Sequence, residues 1–135
     1  MSFNLHLQCF CNQKPAPFDR AVFDEIFGPY IVERSAGFVR IQYPNRGGGA
    51  DTYVEDTPSL DHMMFSHWGG DMFLDGMYEL IKRTKSVIYW PNVERMSAVT
   101  DHETLTHLPT WLTDEECHPI VAKNWREITD AIARS

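Results

Sequence analysis

The sequence predicts an α+β fold, a largely antiparallel sheet of about five to six strands covered by helices in a single pair of layers, within one domain spanning residues 1–135. Three observations lead there. Residues 3–11 alternate apolar and polar side chains with the period of a half-buried strand. Residues 30–66 break into short apolar segments whose connections are too short for helical crossovers, so neighbours pair antiparallel. Three further stretches carry apolar residues at helical spacing between recognisable caps.

Taken in order, Phe3, Leu5, Leu7, Cys9 and Cys11 share one side of the opening strand, and Asn4, His6, Gln8 and Phe10 the other. Pro15 and Pro17 interrupt it. Pro17 suits a first helical position, where its missing N–H would have had no partner. A helix over 17–27 follows, with Phe18, Val22 and Ile26 at spacing four and Phe23 and Phe27 beside them; Gly28 and Pro29 stop it. Tyr30–Arg34 and Phe38–Tyr43 form a hairpin across Ser35-Ala36-Gly37. Pro44–Gly49 is a loop before strand Asp51–Glu55, and Thr57-Pro58 turns the chain into Leu60–Phe65. The second helix, Asp71 to Thr84, buries Phe73, Met77, Leu80 and Ile81, with Asp71 and Asp75 near its positive end and Lys82 and Arg83 near its negative end. Ser86–Trp90 is a buried strand. Thr100-Asp101-His102-Glu103 reads as a capping box for a short helix ended by Pro109, and Thr113-Asp114-Glu115-Glu116 as a second box. Ile120-Val121-Ala122 fits an edge strand, and Asn124-Trp125-Arg126-Glu127 caps a terminal helix striped by Trp125, Ile128, Ala131 and Ile132. The core expected from these phases comprises Phe18, Val22, Ile26, Phe73, Met77, Leu80, Val87 and Ile88.

Composition narrows the function. A net charge of −7 argues against nucleic-acid binding, which draws affinity from neutralising phosphates. Ser2–Gln8 lacks the basic region of a signal peptide, and no apolar run is long enough to span a membrane, so a cytoplasmic setting is expected. Three cysteines imply no disulfide framework; Cys9 and Cys11 read as small core residues, and neither cofactor nor metal is expected. Between Gly47 and Ile81 the charged residues are Asp51, Glu55, Asp56, Asp61, Asp71, Asp75 and Glu79, with no Lys or Arg among them. Such a stretch reads either as solvated surface or as a patch meeting a basic partner.

The motifs are weak. His102 and His107 stand five apart, about 140° around a helix, so they cannot serve as the paired ligands of a zinc-protease helix. Arg46-Gly47-Gly48-Gly49 lacks a P-loop ending and precedes a strand, which makes it a hairpin tip. No serine sits in a nucleophile elbow. Asp61, His62, His67 and Asp71 cluster where a strand feeds a helix, with Gly69-Gly70 allowing close approach, and that region is the best place for chemistry. Trp90 and Trp125 read as core; Trp68 and Trp111 as possible interface anchors.

The opening strand leading into Pro17-Phe18-Asp19, the Gly28-Pro29-Tyr30 stop, Val87-Ile88-Tyr89-Trp90-Pro91 and His107-Leu108-Pro109 together carry a resemblance. The chain resembles small uncharacterised bacterial proteins of the polymorphic-toxin immunity type. That resemblance supplies no catalytic residues and implies function through binding another protein. The expectation is thus a non-enzymatic interaction domain meeting a basic protein surface through Glu55, Asp56, Trp68 and Asp75. The alternative is a small enzyme or ligand-binding domain with a site near His62, His67 and Asp71. Strand order and oligomeric state are not readable.

Overall fold

The computed structural model describes residues 4–90 and 95–134. Along the chain come β1 (Leu5–Cys11), β2 (Lys14–Pro15), β3 (Phe18–Asp19), α1 (Arg20–Phe27) and a 3-10 turn at Gly28–Tyr30. There follow β4 (Ile31–Ser35), β5 (Phe38–Gln42), β6 (Gly49–Tyr53), β7 (Ser59–Leu60), β8 (His62–Gly69), α2 (Asp71–Thr84) and β9 (Ser86–Trp90). The chain ends with β10 (Arg95–Val99), α3 (His102–Thr106), a 3-10 turn at Thr110–Leu112, β11 (Cys117–Val121) and α4 (Trp125–Arg134). The main sheet has the order β11-β10-β9-β1-β8-β6-β5-β4, with β2 paired to the end of β1; β3 and β7 form a separate two-stranded ladder. Every pairing is antiparallel except β10 with β11. The α+β class holds, with more strands than expected.

Helices α1, α2 and α4 cover one face. Phe23 and Phe27, Phe73, Met77 and Leu80, and Ile128, Ala131 and Ile132 meet Leu5, Leu7, Val39, Ile41, Met63, Phe65 and Ile88 in one apolar cluster. A second, smaller cluster lies on the opposite face, where Leu108 and Leu112 pack over Phe10, Val87 and Val99. The helices therefore make one full layer and part of another. Val87 belongs to the smaller cluster rather than the main one, because consecutive residues of a strand point to opposite faces and Ile88 occupies the main core. Phe10 joins it for the same reason. Cys9 is buried, but Cys11 lies beyond the covered part of β1 and is exposed, so the two thiols are not buried together.

Several boundaries move for identifiable reasons. Helix α1 starts at Arg20, not Pro17, because the Asp19 carboxylate accepts from Ala21 N–H at 2.8 Å and so defines the cap. Phe18–Asp19 is drawn instead into pairing with Ser59–Leu60. Phe18, Val22 and Ile26 are only partly buried around the wholly buried Phe23 and Phe27. Helix α2 begins and ends as expected, and Lys85 closes it in a left-handed conformation (φ 55°), its N–H donating to Ile81. Asp101, rather than Thr100, caps α3, accepting from Thr104 N–H at 2.8 Å and from its hydroxyl at 2.6 Å. The second capping box opens no α-helix: Thr113 follows the 3-10 turn and Asp114 accepts from Glu116 N–H within a turn. In α4 the expected cap is present: Asn124 Oδ1 accepts from Glu127 N–H, and Glu127 Oε1 reaches past it to accept from Lys123 N–H. Among the described residues no helix is long and apolar enough to cross a membrane.

Candidate functional site

The outward side of β5, β6, β8 and the first half of β1 carries the feature that distinguishes this sheet. Along each strand, core residues alternate with outward ones: Val39 and Ile41 with Phe38, Arg40 and Gln42; Thr52 with Asp51 and Tyr53; Met63 and Phe65 with His62, Met64 and Ser66. Strand register then aligns the outward residues. Phe38 lies opposite Tyr53, Tyr53 opposite Met64, Met64 opposite His6, His6 opposite Tyr89, and Tyr89 opposite Ser97. These direct neighbours form one row across six strands, about 24 Å at roughly 4.8 Å per step. Phe38 and Tyr53 meet edge to face at 5.4 Å, with the Arg40 guanidinium 5.8 Å from the Phe38 centroid. His6 stacks on Tyr89 at 5.1 Å and 10°, and Trp111 meets Tyr89 edge-on at 5.3 Å. Tyr53 is 47% and Trp111 39% exposed.

His6 has a second ring neighbour. Its Nδ1 stands 3.3 Å from Nε2 of His62, the diagonal residue on β8. Burial pushes both imidazoles below the usual histidine value; His62 lowers His6 further, while Asp61 and Glu55 pull His62 back up.

At the far end of β8 the ladder with β6 slips. Gly49 pairs with Gly69 but Asp51 with Ser66, so His67 and Trp68 together face Ala50. His67 is the bulged residue, at φ 49°, a left-handed conformation uncommon for a side chain with Cβ. The bulge brings its imidazole beside Asp51, with Nδ1 3.1 Å from Oδ2, while Arg40 Nε donates to Oδ1 at 2.9 Å and its Nη1 to Glu33 at 3.1 Å. The Arg40 hydrogen bond is the main reason the Asp51 carboxyl lies below its usual value. An ionised Asp51 only accepts, so Nδ1 is the nitrogen that carries a proton towards it. Ser66 Oγ also lies 3.2 Å from Nδ1. Serine and aspartate thus meet the same ring nitrogen, which rules out a Ser-His-Asp relay through this ring.

The glycine loop docks beside this pair. Asn45 and Arg46 both have positive φ, and Gly47 N–H donates to Pro44, the geometry of a tight mirror-image turn. Gly48 (φ 89°) and Gly70 (φ 91°) are in backbone contact: a Cβ on Gly48 would lie 1.9 Å from the Gly69 oxygen. The Gly47 carbonyl accepts from Met72 and Phe73 N–H, each at 3.1 Å. The loop therefore does meet a helix N-terminus, contrary to its place in the sequence, but its own carbonyl takes donors that a phosphate would need. An open cleft of about 650 Å³ remains, lined by Arg40, Arg46, Gly48, Asp51, His67 and Trp68 among others.

The residues singled out from sequence scatter over this frame. His62 pairs with His6, His67 with Asp51, and Asp71 sits exposed in the first turn of α2. They do not gather at one point, and no group of three or more metal-ligating side chains occurs among the described residues. Trp68 is not an exposed anchor: it is 9% exposed and belongs to the main core. Glu55 and Asp56 lie in the loop after β6, where Glu55 accepts from Arg20 through its carbonyl and Asp56 takes Gly37 N–H through its carboxylate. Asp75 is exposed on α2, in the helical layer. The acidic stretch is consequently split between the outward sheet face, a strand-end loop and the opposite side of the protein. The molecule is defined by its α+β architecture with one half-face of sheet left open. Comparison with protein-family models, curated proteins and solved structures finds no match.

Proposed function

We propose that this chain is a non-enzymatic binding domain that meets a protein partner through the outward face of β5, β6, β8 and β1. The observation that carries this reading is the continuous row Phe38–Tyr53–Met64–His6 on the part of the sheet that the helices leave uncovered, ending at Tyr89 where the second apolar cluster begins. Aromatic rings and methionine on an exposed surface favour association, because they contribute large contact area at small entropic cost. Carboxylates of Glu33, Glu55, Asp56 and Asp61 flank the row, and Arg40 is already engaged by Glu33 and Asp51. A partner with a basic rim around an apolar centre complements that pattern. Neutralisation of such a partner is the role the immunity-type resemblance implies. The test uses the chain as bait against lysate of its source cell, beside a Phe38→Ser/Tyr53→Ser variant and an Asp75→Lys variant. A partner held by wild type and by Asp75→Lys but lost by the double variant supports this face. Equal retention by the double variant refutes it.

A second reading rests on one specific observation, the carboxylate-held imidazole of His67 at the mouth of the 650 Å³ cleft. An aspartate that fixes the tautomer of a histidine is an arrangement suited to proton transfer or to binding a polar ligand. A small molecule that raises the melting temperature of wild type but not of His67→Gln would favour this reading over the first.

A further inference from the structure

We propose that His6 and His62 form a two-histidine site for a borderline divalent cation (zinc, nickel or copper) on the outward face of the sheet. The site shares His6 with the row proposed to meet a partner, but it needs no partner to be tested.

The geometry begins with register. His6 lies opposite Met64 and Gln8 opposite His62, so the two histidines are diagonal neighbours on one face of adjacent antiparallel strands. Their rings lean together until Nδ1 of His6 and Nε2 of His62 are 3.3 Å apart. Two imidazole nitrogens bound tetrahedrally to zinc at about 2.0–2.1 Å stand roughly 3.3–3.4 Å from each other. The separation already present is therefore that of a metal-bridged pair, and re-aiming the two rings would bring both lone pairs onto a common ion.

The surroundings favour this over a simple imidazole hydrogen bond. His6 lies against Tyr89, whose hydroxyl donates to Gln8 Oε1 at 3.3 Å, so aromatic packing on one side limits how far that ligand can swing. Asp61 and Glu55 are near enough to act electrostatically on His62, and their negative charge favours a cation there. A cleft of about 280 Å³, lined by Tyr53, Glu55, Asp61, His62 and Met64 among others, adjoins His62 and leaves room for water. Imidazole nitrogen is a donor suited to zinc, nickel and copper(II) rather than to calcium or magnesium. With two protein ligands, the remaining coordination positions are open to water.

Calorimetric titration of the full chain with zinc and with nickel chloride at neutral pH tests the proposal. The expected result is one equivalent bound with a dissociation constant below about 100 µM, where free energies of association exceed roughly 5.5 kcal/mol. His6→Ala and His62→Gln should each weaken it at least tenfold, while His102→Ala on α3 and Cys11→Ser, which removes an exposed thiol, should leave it unchanged. Far-ultraviolet circular dichroism confirms that each variant is folded. Should His6→Ala fail to fold, His62→Gln together with imidazole resonances of the wild-type chain decides, since zinc must shift those of His6 and His62. No saturable binding, or binding that survives both histidine substitutions, would overturn the site.

Discussion

Replacing Gly48 by alanine tests how the cleft is held together. The residue sits at φ 89°, where an L-side chain is strained, and its new Cβ would lie 1.9 Å from the Gly69 oxygen and 2.4 Å from the Gly70 Cα. Both neighbours are backbone, so no rotamer change relieves the overlap. The loop would have to lift away, drawing the Gly47 carbonyl off Met72 and Phe73 N–H and loosening the first turn of α2. Left-handed backbone costs a non-glycine residue about 1–2 kcal/mol and overpacking adds about 1–3, so a loss of roughly 2–5 kcal/mol is expected. With a urea slope of about 2 kcal/mol/M, the unfolding midpoint should fall by about 1–2.5 M at unchanged slope. Gly28→Ala is the control: its φ is −49° and a Cβ there meets nothing within 4 Å. That variant should be neutral or gain up to about 1 kcal/mol through the unfolded chain. A Gly48→Ala loss below about 1 kcal/mol would show that the loop is not clamped between β8 and α2 as described.

Phe73 is wholly buried and packs against Phe27 and Phe65, so Phe73→Ala should cost about 3–5 kcal/mol in the same titration. The Asp101 carboxyl is lowered to about 2, chiefly by the Lys85 ammonium and then by Thr104. A depressed carboxyl stabilises the folded state above its unfolded value of 3.8 and loses that contribution as pH falls towards about 2. Thermal melts from pH 5 to about pH 2 should therefore drop less steeply for Asp101→Asn than for wild type, and Asp101→Ala should cost about 0.5–2 kcal/mol at neutral pH as a lost cap. Given a captured partner, Glu55→Lys/Asp56→Lys should slow association most at low salt, whereas Asp75→Lys should leave the rate unchanged. Equal slowing by Asp75→Lys would move the interface to the helical side.

What the sequence disclosed follows how locally each element is determined. Helix α2 was legible from end to end because its apolar phase, Asp71, Lys82 and Arg83 all agree within fourteen residues. Strand β10 was missed because Ser97, Ala98 and Val99 are all buried between β9 and β11, so no alternation marks it. Phe18–Asp19 pairs with residues some forty positions away, a contact no local pattern announces. Trp68 shows how one residue changes a face. Without the bulge at His67 it would continue the outward phase of Met64 and Ser66; the extra residue turns it into the core and leaves His67 outside. His67 was among the residues singled out, but its partner Asp51 lies across a ladder that no local pattern announces. His6, Tyr53, Met64 and Tyr89 each stand out in hindsight as large side chains in the outward phase. Their alignment depends on β1 lying between β8 and β9, which is a property of topology alone.

The half-open sheet also separates two kinds of mutational freedom. On β5, β6 and β8 the outward positions alternate strictly with core ones up to the bulge, so Phe38, Arg40, Tyr53 or Met64 can be exchanged while Val39, Ile41, Thr52, Met63 and Phe65 stay in place. On β9 and β10 both faces are packed, and Val87, Ile88, Ala98 and Val99 have no such latitude. Inherited variation should accordingly gather on one side of three neighbouring strands. A lineage can redraw that surface by point substitution without first acquiring compensating stability, whereas the β9–β10 end must change, if at all, in concert.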